Sequence, residues 1–167
     1  GGFQRYSVDA EWRVPHFEKM LYDQAQLVLA YLEAAQASGD AFYGAVAEDT
    51  LDYVLRDLTA GNGAFLSAED ADSLPPDAPG GEKREGAFYV WPAADIDALF
   101  GADAPVVRRR FGIEDRGNAP SDPQGEFVNQ NIPYVAQSVE EIAARSGRTA
   151  ADVMAVLARA RQVMFTA

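Results

Sequence analysis

Val14-Pro15-His16-Phe17-Glu18-Lys19-Met20-Leu21-Tyr22-Asp23 is the stretch on which the reading of this chain turns. From Pro15 to about Ala37, apolar residues recur at helical spacing, at Phe17, Met20, Leu21, Leu27, Val28, Tyr31, Leu32 and Ala35. A proline suits a first helical turn and Gly39 suits a stop, so the spacing predicts a helix over this range. On that helix His16, Met20, Asp23, Gln24, Leu27 and Tyr31 share one stripe, and Lys19, Tyr22, Asp23 and Gln26 an adjoining one. His16 is the only histidine of the chain. Near a helix N-terminus the positive end of the dipole favours a neutral imidazole, able to act as base or hydrogen-bond partner. The competing reading is a capping or interhelical histidine, with Glu18, Lys19 and Asp23 as a solvated, ion-paired face. Spacing alone leans towards that structural role.

Outward from this stretch, Asp40 precedes a second periodic segment, Phe42 to Leu58, closed by Gly61-Asn62-Gly63. Two antiparallel helices with a short connection follow. Between about 64 and 92 the pattern changes. Ala64-Phe65-Leu66-Ser67 and Gly86-Ala87-Phe88-Tyr89-Val90-Trp91 are aromatic, β-favouring runs flanking a loop rich in Asp, Pro and Gly, which predicts an inserted β-hairpin. Short helices are expected from Pro92 to Phe100 and from Pro105 to Phe111, and a turn-rich stretch with one short strand near Ile132-Val135. Two last helices, Ser138-Arg145 and Thr149 to about Phe165, carry Glu141 and Asp152 at the third helical position, where a capping box places its acid.

The composition of the 167 residues, 48% hydrophobic, supports a globular domain with a real core. Lys and Arg number 14 against 26 Asp and Glu, a net charge of -12, which argues against a phosphate backbone as partner. No apolar run approaches the roughly 20 residues a bilayer span needs, and no charged-then-apolar leader opens the chain, so the expectation is a cytoplasmic protein without a membrane partner. With no cysteine there is no disulfide, thiolate or Cys-based metal chemistry in this chain. The opening Gly1-Gly2-Phe3 reads as the middle of something, and the expectation is a fragment.

Glu69, Asp70 and Asp72, in Ser67-Ala68-Glu69-Asp70-Ala71-Asp72-Ser73, directly follow an apolar run. Clustered carboxylates push one another's ionisation apart, which is how a pair divides into acid and base for glycosidic or epimerising chemistry. The same cluster is equally a solvated acidic turn, and it lacks the glycine and distal Glu of a calcium-binding loop. Phe3, Tyr6, Trp12, Phe65, Phe88, Tyr89 and Trp91 flank these polar groups. Such rings stack on flat sugar faces or fill a core. No phosphate-binding loop, metal site or cofactor motif is present.

Gly1-Gly2-Phe3-Gln4-Arg5-Tyr6-Ser7-Val8-Asp9, Trp12 and Val14 to Ala25 resemble the YyaL-type, spermatogenesis-associated family of thioredoxin-domain proteins. Phe65 to Ser73, Glu85 to Trp91 and Gly125-Glu126-Phe127-Val128-Asn129-Gln130-Asn131 resemble its later blocks in the same order. The resemblance covers nearly the whole chain but only a middle slice of a longer protein. It implies a mainly α fold, part of an (α/α)6 toroid similar to N-acylglucosamine 2-epimerases and six-hairpin glycosidases, with the small β-hairpin inserted and no thioredoxin-like domain in residues 1–167. It also implies a cleft near His16, Glu18, Lys19 and Asp23, with Glu69, Asp70 and Asp72 contributed by the hairpin, and it raises the functional reading of His16. One departure is that Ile132-Pro133-Tyr134 stands where the family continues with a Val-Leu pair, and Pro133 removes a backbone donor there.

The expected function is therefore a carbohydrate-active module, epimerase, isomerase or glycosidase-like. His16 would be base or proton shuttle, one of Glu69, Asp70 or Asp72 the partner acid, and Tyr6, Asp9, Trp12, Glu18, Lys19, Asp23, Tyr89 and Trp91 would line the substrate. The alternative is a non-catalytic sugar- or protein-binding scaffold in a redox-linked protein. A partial toroid also leaves apolar helix faces open, which predicts self-association or packing on the missing remainder of the parent chain.

Overall fold

The computed structural model describes residues 1–75, 80–120, 122 and 125–167. The proline- and aspartate-rich connection expected after Ser73, at 76–79, and residues 121, 123 and 124 of the turn-rich stretch lie outside the described residues. The chain is mainly helical and divides into two compact units, Gly1–Val8 with Pro15–Phe88, and Asp9–Val14 with Tyr89–Ala167. Among the described residues no helix is long and apolar enough to cross a membrane.

In the first unit, β1 (Lys19–Met20) leads directly into α1 (Leu21–Ser38), which packs on α2 (Ala41–Asp57). Gly39 ends α1 in the left-handed conformation that costs glycine least, and the Asp40 side chain accepts from Phe42 N–H to start α2. Val28 of α1 and Ala47, Thr50 and Val54 of α2 are buried, and the rings of Tyr31 and Tyr43 lie 6.1 Å apart. Gln24 is fully buried and fully used: it exchanges two hydrogen bonds with the backbone of Phe3, each 2.8 Å, and donates to Met20 O. A glutamine facing inwards thus ties the N-terminal segment to α1 without an orphaned polar atom.

The predicted start of the first helix at Pro15 is corrected by the structure. Residues 15–20 are extended, because their backbone groups find partners far away in sequence. Pro15 bridges Ser7, His16 N–H donates to Tyr6 O, Arg5 N–H donates to Glu18 O, and Leu21 N–H donates to Ser67 O. β1 pairs antiparallel with β2 (Ala68–Glu69), Lys19 opposite Glu69. The dipole argument for His16 therefore lapses, and the stripe joining it to Met20, Asp23 and Gln24 does not form.

A hairpin is present in the expected region, but its pairing differs from the expected one. It is formed by β3 (Asp72–Ser73) and β4 (Arg84–Glu85), with Asp72 opposite Glu85, and not by the aromatic runs. Phe65 bridges Thr59, and residues 86–89 form a turn.

The second unit holds α3 (Ala93–Phe100), a 3-10 turn at Gly101–Asp103, α4 (Ala104–Phe111), α5 (Val139–Ser146) and α6 (Ala150–Thr166). Its core joins Ile96, Phe100, Val106, Val107, Ile142, Val153 and Ala160, with Trp91 packed against it. Both predicted capping boxes are formed, Ser138 with Glu141 and Thr149 with Asp152. The strand expected near Ile132-Val135 does not form. Only Asn131 pairs, in an isolated bridge with Trp91, and Pro133, which has no N–H to give, follows two residues later.

Candidate functional site

His16 sits in the extended segment before β1, its backbone fixed by Tyr6 O at 2.9 Å. The Tyr6 ring lies against the imidazole with centroids 4.9 Å apart, and Tyr6 itself is half-exposed. On one side Nδ1 is 2.8 Å from Glu85 Oε1, and the same oxygen accepts from Phe17 N–H at 3.2 Å. On the other side Nε2 is 3.7 Å from Glu18 Oε2, which accepts a 2.9 Å bond from Arg5. The His16 side chain keeps 23% of its surface open to solvent. An imidazole held between two carboxylates, with an aromatic face beside it, is an arrangement suited to taking up and releasing a proton.

The position of Glu85 depends on Gly86. Its φ is +70°, and a Cβ there would meet the Phe17 ring at 2.5 Å, so only glycine lets the end of β4 lie this close to the buried Phe17. Glu85 lay outside the candidates because its partners are 68 and 69 positions away in the chain. The available signal was the Glu-Gly pair at the end of a polar strand.

Glu69 stands opposite Lys19 in the β1–β2 pair, and Asp72 stands opposite Glu85 in the β3–β4 pair. The Tyr53 hydroxyl donates to Glu69, and burial, reinforced by that bond and the Glu69 charge, pushes the Tyr53 phenol far up. Lys19 Nζ lies 4.5 Å from the centre of the Tyr53 ring and donates to Gly1 O, so Lys19 is buried in a packed cluster with Tyr53. Burial pulls the Lys19 ammonium down, against the opposing charge of Glu69. Asp70 accepts from Asp72 N–H and from Lys83, which together hold its carboxyl below the usual value, while Asp72 is exposed. Asp23 occupies the first turn of α1.

Asp9, Trp12, Tyr89 and Trp91 belong to the second unit. Asp9 Oδ1 accepts from Arg13 and Val14 N–H, and Trp12, 83% exposed, stands at the turn they close with a φ of +57°. Arg13 lies over the Tyr134 ring at 3.3 Å and donates to Asn118 O. Trp91 serves the core. Asn131, which the sequence reading did not single out, is fully buried: it accepts from Glu114 N–H and donates to Trp91 O and Glu114 O. Among the described residues no group of three or more His, Asp and Glu is placed to hold a metal ion.

No family model matches the sequence. Known proteins do match. The chain is 46% identical over 99% of its length to spermatogenesis-associated protein 20 of Homo sapiens, and 44% identical to that of Mus musculus. The chain is similar to spermatogenesis-associated protein 20. An uncharacterized protein of Caenorhabditis elegans is 36% identical over 99% of the chain. The chain spans 22% of the length of the human and mouse spermatogenesis-associated protein 20 and 24% of the nematode protein.

Proposed function

We propose that this chain contributes to a carbohydrate-active module, an epimerase, isomerase or glycosidase-like unit with His16 as its proton carrier. The wider frame of the proposal is an (α/α)6 toroid in a protein that also holds a thioredoxin-like domain. The observation that carries it is the partly open imidazole of His16, bracketed by Glu85 and Glu18 with the Tyr6 ring alongside. A sugar face stacks on such a ring, and the adjacent nitrogen is then within reach of a C–H or O–H proton. Glu69 and Asp70, engaged by Tyr53 and Lys83, are less suited to be the partner acid than the carboxylates already beside His16.

The test is incubation of the protein with aldoses, ketoses and N-acylated amino sugars in deuterated water, read by NMR for exchange at carbon and for released reducing ends. Turnover of one class is expected, and His16→Ala should reduce it by about 10²-fold or more, the usual contribution of a positioned acid-base group. Full turnover by that variant would remove His16 from the chemistry.

The second reading, a sugar- or protein-binding scaffold, is favoured by exposed apolar side chains on the helical pair, Leu29 and Leu32 on α1 and Leu51 and Leu55 on α2. A scaffold for sugar would show a thermal shift without turnover.

A further inference from the structure

The geometry points to Glu85 as a positioning residue that fixes the tautomer of His16, with the proton on Nδ1 and Nε2 as the working nitrogen. For its consequence the inference rests on the proton-carrier role of His16, but its test does not need that role.

Glu85 Oε1 receives two contacts. One is Phe17 N–H at 3.2 Å, and a backbone amide only donates, so the oxygen there is an acceptor. The other is His16 Nδ1 at 2.8 Å, and because a carboxylate has no hydrogen to give, Nδ1 is the donor. Which imidazole nitrogen carries the proton is set by the bond the other one makes, so this contact decides the state of the whole ring. Its neighbours restrict the rotation that would reverse it. Tyr6 lies against one side, the His16 backbone is tied to Tyr6 O, and Phe17, next in the chain, is buried.

Nε2 is left to exchange protons. Its nearest charged neighbour, Glu18 Oε2, lies at 3.7 Å, beyond hydrogen-bond reach, and is drawn to Arg5 at 2.9 Å. Arg5 thus answers the Glu18 charge while Nε2 carries its lone pair. When Nε2 takes a proton from a substrate C–H or O–H, the imidazolium formed has Glu85 on one side and Glu18 on the other. Glu85 does not touch substrate; it decides which nitrogen does.

Because His16 is the chain's only histidine, its ring gives a single pair of nitrogen signals. With the imidazole neutral at alkaline pH, nitrogen-15 NMR of the wild type should show a protonated Nδ1 and an unprotonated Nε2. Glu85→Ala should lose the Nδ1–H majority, and Glu85→Gln, whose amide oxygen still accepts from Phe17 N–H, should keep it. An Nε2–H majority in the wild type overturns the proposal. So does an unchanged tautomer in Glu85→Ala with dispersed amide signals. Should Glu85→Ala not fold, the wild type and Glu85→Gln decide. An Nδ1–H ring together with turnover that survives His16→Ala supports the role of Glu85 and sinks the catalytic reading. The reverse pair, an Nε2–H ring and turnover lost in His16→Ala, keeps the enzyme and removes Glu85.

Discussion

His16 Nδ1 and Glu85 Oε1 lie 2.8 Å apart although 69 positions separate the two residues in the chain. Two features bring them together: the antiparallel pairing of Asp72 with Glu85, and the passage of Gly86 over the Phe17 ring. The second tolerates no side chain.

Gly86→Ala should therefore act on both stability and site. A methyl group at 2.5 Å from the Phe17 ring, on a residue with φ +70°, must displace one or the other. The expected cost is about 2–4 kcal/mol, overpacking added to left-handed strain. A lowered urea midpoint measures it. The Nδ1–H signature of His16 should weaken in the same variant although Glu85 is unchanged, and an unaltered midpoint would show that the turn has slack.

Asn131→Ala should weaken the second unit. The side chain is fully buried and satisfies Glu114 N–H, which alanine cannot reach, whereas Trp91 O keeps the backbone N–H of residue 131 and Glu114 O keeps Gly117 N–H. Leaving a buried polar group unpaired costs about 1–3 kcal/mol, and a loss in that range is expected. Trp12 and Trp91 both belong to this unit, so tryptophan fluorescence during urea unfolding reports it directly. Asn131→Asp sets a buried carboxylate, which cannot donate, against the Trp91 and Glu114 carbonyl oxygens and should cost at least as much as alanine.

These relationships show where the sequence was legible. α2, α5 and α6 start where their caps predict, because Asp40, Ser138 with Glu141 and Thr149 with Asp152 bond to amides two or three residues away. Local chemistry writes local structure. Residues 15–20 carry helical apolar spacing as well, yet their amides and carbonyls are taken by Arg5, Tyr6 and the Ser67–Glu69 segment, and strand pairing won. The site divides in the same way. His16 and Glu18 stand close in sequence and could be read together, whereas Glu85 comes from a hairpin whose register no local pattern fixes. Glu69, one of three carboxylates expected to supply the partner acid, accepts from Tyr53.

Acid should loosen the second unit through Asp103. Arg148, at 2.6 Å, and then Arg159 hold its carboxyl below the ordinary value of 3.8. A carboxylate depressed in the folded state contributes stability that is present above its unfolded value and is lost as pH falls through the folded one. Stability should accordingly drop below pH 3.8. Asp103→Asn should lower the urea midpoint at neutral pH and flatten that acid limb, and parallel acid curves for the two proteins would assign the loss elsewhere.

Tyr53 offers the opposite limb. Burial first, and then its bond to Glu69 and the Glu69 charge, raise its phenol well above the usual 10.0. An acid group raised in the folded state must stay protonated there while the unfolded chain ionises, so rising pH favours unfolding once it passes the unfolded value. Ultraviolet titration of the folded protein should therefore show no Tyr53 phenolate near pH 10.0, and Tyr53→Phe should leave the curve there unchanged. The substitution has a second effect, because the hydroxyl it removes donates to Glu69 beside the buried Lys19. A loss of about 1–3 kcal/mol is expected at neutral pH, with a shallower fall in alkali than the wild type shows. A Tyr53→Phe protein that unfolds in alkali along the same curve as the wild type would place the alkaline limb on other groups.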